Sequence, residues 1–181
     1  IKTENADNEY AVLNVSTELV NKASHHEDAV LQTVIYDSEG SEVAKECTVI
    51  TLFGADKTSI KQRIAIENPK LWSVDNPNLY RYETRLYENS NDKKLLDETF
   101  GNFGVRTLKV DSKRGLRING QAVKLRGGCI HHDSGLLGSA TYEDAEYRRV
   151  LKMKEAGFNA IRMSHHPMSP ALLRACDEIG M

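Results

Sequence analysis

The stretch Gly157-Phe158-Asn159-Ala160-Ile161-Arg162-Met163-Ser164-His165-His166-Pro167-Met168-Ser169-Pro170 lies between two helical patterns. Its first half, Phe158 to Met163, is apolar but too short for a helix and reads as a buried strand. Gly157 closes the helical run before it, which opens at Thr141-Tyr142-Glu143-Asp144 with a hydroxyl N-cap and an acidic first turn and continues through Tyr147, Val150, Leu151 and Met153. Ser169 and Pro170 then supply an N-cap and a proline at the first helical position for a helix over 171–179. Upstream, Leu116 to Leu125 alternates around Asn119-Gly120, a strong hairpin signal, and its extended run ends at Arg126. The order strand, helix, strand, helix implies parallel pairing in a sheet covered on both faces. Two strands cannot make such a sheet alone, so an eight-fold barrel or a doubly wound sheet is implied.

Residues 10–107 follow a different period. Apolar and polar residues alternate in short runs over 11–19, 29–36, 42–49, 57–66, 79–88 and 94–105. The turn-forming tetrapeptides Asp37-Ser38-Glu39-Gly40 and Asn89-Ser90-Asn91-Asp92 interrupt them. Six or seven strands in about 100 residues favour a two-sheet sandwich of immunoglobulin or fibronectin III type. The expected fold class is therefore an all-β immunoglobulin-like sandwich over 1–108, followed by a partial α/β segment over 109–181.

With 40% hydrophobic and 28% charged residues and a net charge of −2, the composition is that of a globular protein with no electrostatic claim on nucleic acid or an anionic membrane. No run approaches the roughly 18 apolar residues of a membrane-spanning helix, and no signal-peptide pattern opens the chain. Ile1 and Met181 both read as cuts in a longer polypeptide, so localisation stays open. Cys47, Cys129 and Cys176 are odd in number and widely spaced, which argues against a disulfide framework or zinc site and for buried packing residues. Trp72, the only tryptophan, sits beside a proline-containing turn. Sugar stacking is conceivable there, but packing is the stronger reading. His25 and His26, near Glu27 and Asp28, read as a solvated loop rather than a metal site.

In α/β sheets ligands gather at the carboxyl ends of the parallel strands. The residues expected there are Arg126-Gly127-Gly128-Cys129-Ile130-His131-His132-Asp133 and Arg162-Met163-Ser164-His165-His166-Pro167. Each segment carries an arginine and a histidine pair, and alternation turns one histidine of each pair toward a ligand. Neither pair has the helical spacing of a zinc protease and no Gly-rich phosphate loop opens either helix, so hydroxyl groups of a sugar fit better than a metal or a phosphate. Arg162 on a covered strand needs an anion, and Asp144 or Glu155 would be a purely structural partner.

The segment from Leu71-Trp72-Ser73 to Pro77-Asn78-Leu79-Tyr80, Phe103-Gly104-Val105-Arg106, Asn119-Gly120 to Leu125-Arg126-Gly127, Gly157 to Arg162, Ser164-His165-His166-Pro167 and Cys176-Asp177, in this order and spacing, resembles the second glycoside hydrolase family. That family includes β-galactosidases, β-glucuronidases and β-mannosidases. The resemblance implies that the α/β segment is the first two βα units of a TIM barrel, and that the acid/base and nucleophile glutamates lie on later strands, beyond Met181. It implies that His131 and His165 line the sugar subsite and that Arg162 braces the nucleophile, with Arg126, His132 and Asp133 as further substrate contacts. The family's commoner Asn-x-His-Glu is Cys129-Ile130-His131-His132 here, and the His131–Asp133 and 135–138 stretch is most similar to β-galactosidases of Bacteroidetes. The implied function is a fragment of a retaining hydrolase of terminal β-galactosides, inactive alone. No metal or cofactor is expected in the chain, although longer family members can hold a divalent or sodium ion. A sandwich with two uncovered βα units is expected to leave its second part loose, rearranged or buried in a homo-oligomer. The competing readings are another sugar specificity within the family, a non-catalytic carbohydrate-binding or structural module, and a metal-dependent hydrolase.

Overall fold

A computed structural model describes residues 1–90 and 92–181, which fall into two compact units, 1–70 with 79–107 and 71–78 with 108–181. The first unit holds seven strands: β1 (Lys2–Ala6), β2 (Tyr10–Val20), β3 (Glu27–Tyr36), β4 (Glu42–Leu52), β5 (Lys57–Glu67), β6 (Tyr80–Glu88) and β7 (Leu95–Phe103). They form two antiparallel sheets, β1-β2-β5 and β4-β3-β6-β7. β1 lies outside the six expected runs because Lys-Thr-Glu-Asn-Ala has no apolar alternation; backbone pairing to β2, Lys2 opposite Asn14, makes it an edge strand. The turn expected at Asn89-Ser90-Asn91-Asp92 contains Asn91, which lies outside the described residues. At the other expected turn, Asp37 Oδ1 accepts from the amides of Glu39 and Ser41, both at 2.9 Å, and Gly40 takes φ +83°.

Alternation buries Ala11, Leu13 and Val15 of β2 and Ala29, Leu31 and Ile35 of β3, together with Ile50, Leu52, Ile64 and Ile66. Each large aliphatic so buried contributes about 1.5–3 kcal/mol. The polar residues within this core bond to one another. Thr33 Oγ1 donates to Gln62 Oε1 at 2.7 Å and lies 3.0 Å from Thr84 Oγ1, while the Gln62 amide donates to the Leu31 carbonyl and to Thr48 Oγ1, each at 3.1 Å. A buried glutamine is tolerated because its partners replace water.

The second unit begins with a three-stranded meander, β8 (Leu108–Asp111), β9 (Gly115–Ile118) and β10 (Gln121–Ala122). Asn119 and Gly120, at φ +51° and +79°, make the expected two-residue turn. The extended run ends earlier than expected, at Ala122, and a separate strand follows. The order from there is β11 (Gly127–Ile130), α1 (Glu143–Glu155), β12 (Ala160–Met163) and α2 (Pro170–Ile179), with β11 and β12 parallel. The unit is thus not rearranged. α1 begins at Glu143 with Tyr142 as an N-cap that gives no side-chain bond, so Thr141 is not the cap. Ser169 does cap α2, accepting from the Leu172 amide at 3.2 Å, and Pro170 is its first residue. Val150, Met168, Leu172, Ala175 and Cys176 form the core, with Ile130, Ile161 and Met163 packed against it.

Residues 71–78, which leave the chain between β5 and β6, complete this unit. Trp72 is 2% exposed, its indole N–H donates to the Asp177 carbonyl at 2.7 Å, and its own carbonyl accepts from Asn119 Nδ2 at 2.9 Å. A tryptophan so enclosed offers no face to a sugar. Packing is its role.

Candidate functional site

The glycine pair at 127–128, expected to follow a strand that ends at Arg126, is instead the start of the parallel strand. A Cβ on Gly127 would stand 2.1 Å from the Ala160 carbonyl oxygen, so only glycine allows β11 to approach β12 this closely. Arg126 therefore precedes the strand instead of following it. Its amide donates to Asn159 Oδ1 at 2.7 Å, and it lines a cleft with Val74, Lys124 and Phe158. Five residues of extended chain, about 16 Å, separate it from His131. The expected substrate contact through Arg126 is thus corrected: it belongs to the opposite end of the strand.

The register sets Cys129 opposite Arg162 and Ile130 opposite Met163. Ile130, Ile161 and Met163 face the helices, so alternation turns Cys129 and Arg162 to the other face, where both are exposed. Arg162 Nη1 donates to Cys129 Sγ at 3.6 Å. Among the described residues no carboxylate meets Arg162; Glu155 pairs instead with Lys152 at 2.6 Å. The Ser164 hydroxyl and, next, the Arg162 guanidinium hold the Cys129 thiol below its ordinary pKa. Cys47 and Cys129 are exposed and only Cys176 is buried, so two of the three cysteines are not the packing residues expected. Each lies at an outward-facing strand position that spacing alone does not reveal.

Beyond the strand ends the two histidine pairs meet. The rings of His131 and His165 stand edge to face, 5.8 Å between centroids at 89°, and those of His132 and His166 stack at 4.8 Å and 20°. His131, His165 and His166 are exposed; His132 is half-buried, with Nε2 enclosed. Asp133 is exposed beside them and is the only carboxylate in 131–142 and 164–169. Among the described residues no group of three or more His, Cys, Asp or Glu could hold a metal ion.

Sequence reasoning missed Arg149. From the second turn of α1 its guanidinium donates to the His131 carbonyl at 3.1 Å, the Asp133 carbonyl at 3.4 Å and Ser134 Oγ, and Nη1 lies 3.7 Å from the buried Glu146 carboxylate. Its neighbour Arg148 has the same chemistry in the sequence, and no local signal separates the two.

Comparison with known proteins agrees with this architecture. The family model described as glycosyl hydrolases family 2 matches residues 1–106, and that described as the TIM barrel domain of glycosyl hydrolases family 2 matches residues 108–181. The β-galactosidase BoGH2A of Bacteroides ovatus is 34% identical over 180 residues, 99% of this chain and 21% of the relative. A glycosyl hydrolase family 2 member from Bacteroides cellulosilyticus is 39% identical with a TM-score of 0.94, covering 99% of this chain and 23% of that one. A β-glucuronidase from Bacteroides uniformis is 33% identical with a TM-score of 0.89, covering 99% and 22%. The chain spans about a fifth of the length of these relatives. A sandwich running into a parallel β11-α1-β12-α2 segment, matched from end to end, means that the chain belongs to glycosyl hydrolases family 2, as its sandwich domain followed by the start of its TIM barrel domain.

Proposed function

We propose that this protein is a retaining glycoside hydrolase of terminal β-galactosides and related oligosaccharides, in which the chain supplies the sandwich and one wall of the sugar site. The observation that carries the reading is the His131–His165 pair beside an exposed Arg162 with no carboxylate partner among the described residues, at the carboxyl ends of two parallel strands. Imidazoles bond sugar hydroxyls as donor or acceptor, and an unpaired guanidinium suits a carboxylate nucleophile, which it orients by paired N–H bonds. His132 and Asp133 extend the polar rim. Retention requires two carboxyl groups about 5–5.5 Å apart, one protonating the leaving oxygen and one attacking the anomeric carbon. Asp133 alone cannot fill both roles, so the 181 residues by themselves are expected to be inactive.

Similarity to the Bacteroides ovatus β-galactosidase favours galactosides, and similarity to a β-glucuronidase favours glucuronides as the second reading. The test is hydrolysis of chromogenic β-galactoside, β-glucuronide and β-mannoside by the 181-residue chain and by a protein carrying a whole barrel. Turnover of the galactoside with retention by the longer protein alone is expected. Retaining turnover by the 181 residues alone would overturn the division of labour, and preference for the glucuronide or mannoside would overturn the sugar.

A further inference from the structure

We propose that Arg149 is a positioning residue that sets the sugar-facing loop after β11, acting through the backbone of His131 and Asp133; this rests on the reading of that rim as a glycoside site. Besides the contacts of the His131 and His132 rings with His165 and His166, the loop has little to hold it. Residues 131–138 bury no hydrophobic side chain, and their own backbone bonds close only the turn from Ser134 to Gly138, at 2.8 Å. Arg149 reaches into this segment with both terminal nitrogens and meets three acceptors on three residues, His131, Asp133 and Ser134. The flat fork of a guanidinium spans such a set, whereas the single ammonium of lysine does not. Arg149 is itself held from behind. Its side chain is 20% exposed, and the Glu146 carboxylate at 3.7 Å is 2% exposed, anchored one turn away on a helix whose Val150 is fully buried. The relay runs from the helix core through Glu146 and Arg149 to the carbonyls flanking His132. Two of the residues assigned to substrate, His131 and Asp133, are therefore aimed from α1.

The test compares Arg149→Ala and Arg149→Lys with the parent sequence in the protein carrying the complete barrel. Hydrogen exchange of amides in 131–138 should speed up at least about tenfold in Arg149→Ala, with the sandwich unchanged. A loop misplaced by about 1 Å lowers kcat/KM by roughly 100-fold, and millimolar guanidinium chloride, far below denaturing levels, should restore part of it while Arg149→Lys does not. Because Arg149→Ala leaves Glu146 buried without its cation, Ser134→Ala provides a variant that removes one anchor and spares that pair. It should shift exchange and kcat/KM the same way by a smaller factor. Unchanged exchange in both variants overturns the inference, as does lost activity that guanidinium fails to restore. If the parent hydrolyses no glycoside, the functional reading falls, and loop exchange alone still decides whether Arg149 holds the segment.

Discussion

Lys154, in the last turn of α1, joins three separated pieces of the second unit. Its ammonium donates to the Gly180 carbonyl after α2 at 2.7 Å and to the Val74 carbonyl in the 71–78 segment. Lys154→Met keeps the length, the helix propensity and the packing stem but removes both bonds. Hydrogen bonds to a charged group contribute about 1.5–3 kcal/mol each. Lys154 is half-buried, so water can reach the freed carbonyls, and a total loss of about 2–3 kcal/mol is expected. Trp72 is the only tryptophan and belongs to the same unit, while the sandwich has none, so its fluorescence reports this unit alone. With a urea dependence of about 1 kcal/mol per molar for a unit this small, the fluorescence midpoint should fall by about 2–3 M. A midpoint within about 0.3 M of the parent, at unchanged slope, would refute the view that Lys154 secures the 71–78 segment.

Gly127→Ala should break the β11–β12 pairing, because the new Cβ meets backbone at 2.1 Å; a loss of about 3 kcal/mol or more is expected, with amide protection at Asn159 and Ser164 abolished. Gly128→Ala, with nothing within 4 Å of its Cβ, should change stability by less than about 1 kcal/mol, and equal effects at the two positions would refute the close-approach argument. In native chain, iodoacetamide should alkylate Cys129 with a pH midpoint below that of a free thiol, shifted up by Arg162→Met, whereas Cys176 should stay unmodified. Burial, with Asp177 and Glu146 adding, pushes the Cys176 thiol from 9.0 to about 11. The folded thiol keeps its proton where the unfolded one loses it, so this contribution to stability is whole below pH 9.0 and is lost as pH rises toward about 11. A urea midpoint that does not fall across that window would count against it.

Periodicity was sufficient for most of the sandwich, because each strand buries one face and a period of two is written into Ala11-Leu13-Val15 and Ala29-Leu31. It was sufficient for α2 as well, where Ser169 and Pro170 mark the start locally. It failed at β1, whose pairing is a backbone affair, and at β11, where Gly127 opens the strand and serves its close approach to Ala160. The misplacement of Arg126 followed directly from that second failure.

The residue types at the rim, two histidine pairs and Arg162, were legible in order along the chain, and so was the change from sandwich to α/β segment near residue 108. Which histidines meet, that Cys129 lies against Arg162, that Trp72 is enclosed with the second unit and that Arg149 rather than Arg148 holds the loop were decided by tertiary structure. The physical reason is the range of the interactions. Caps, turns and burial period act over a few residues and leave a pattern in the chain, whereas strand register and a guanidinium reaching carbonyls 16 and 18 positions away depend on where the fold brings distant residues together.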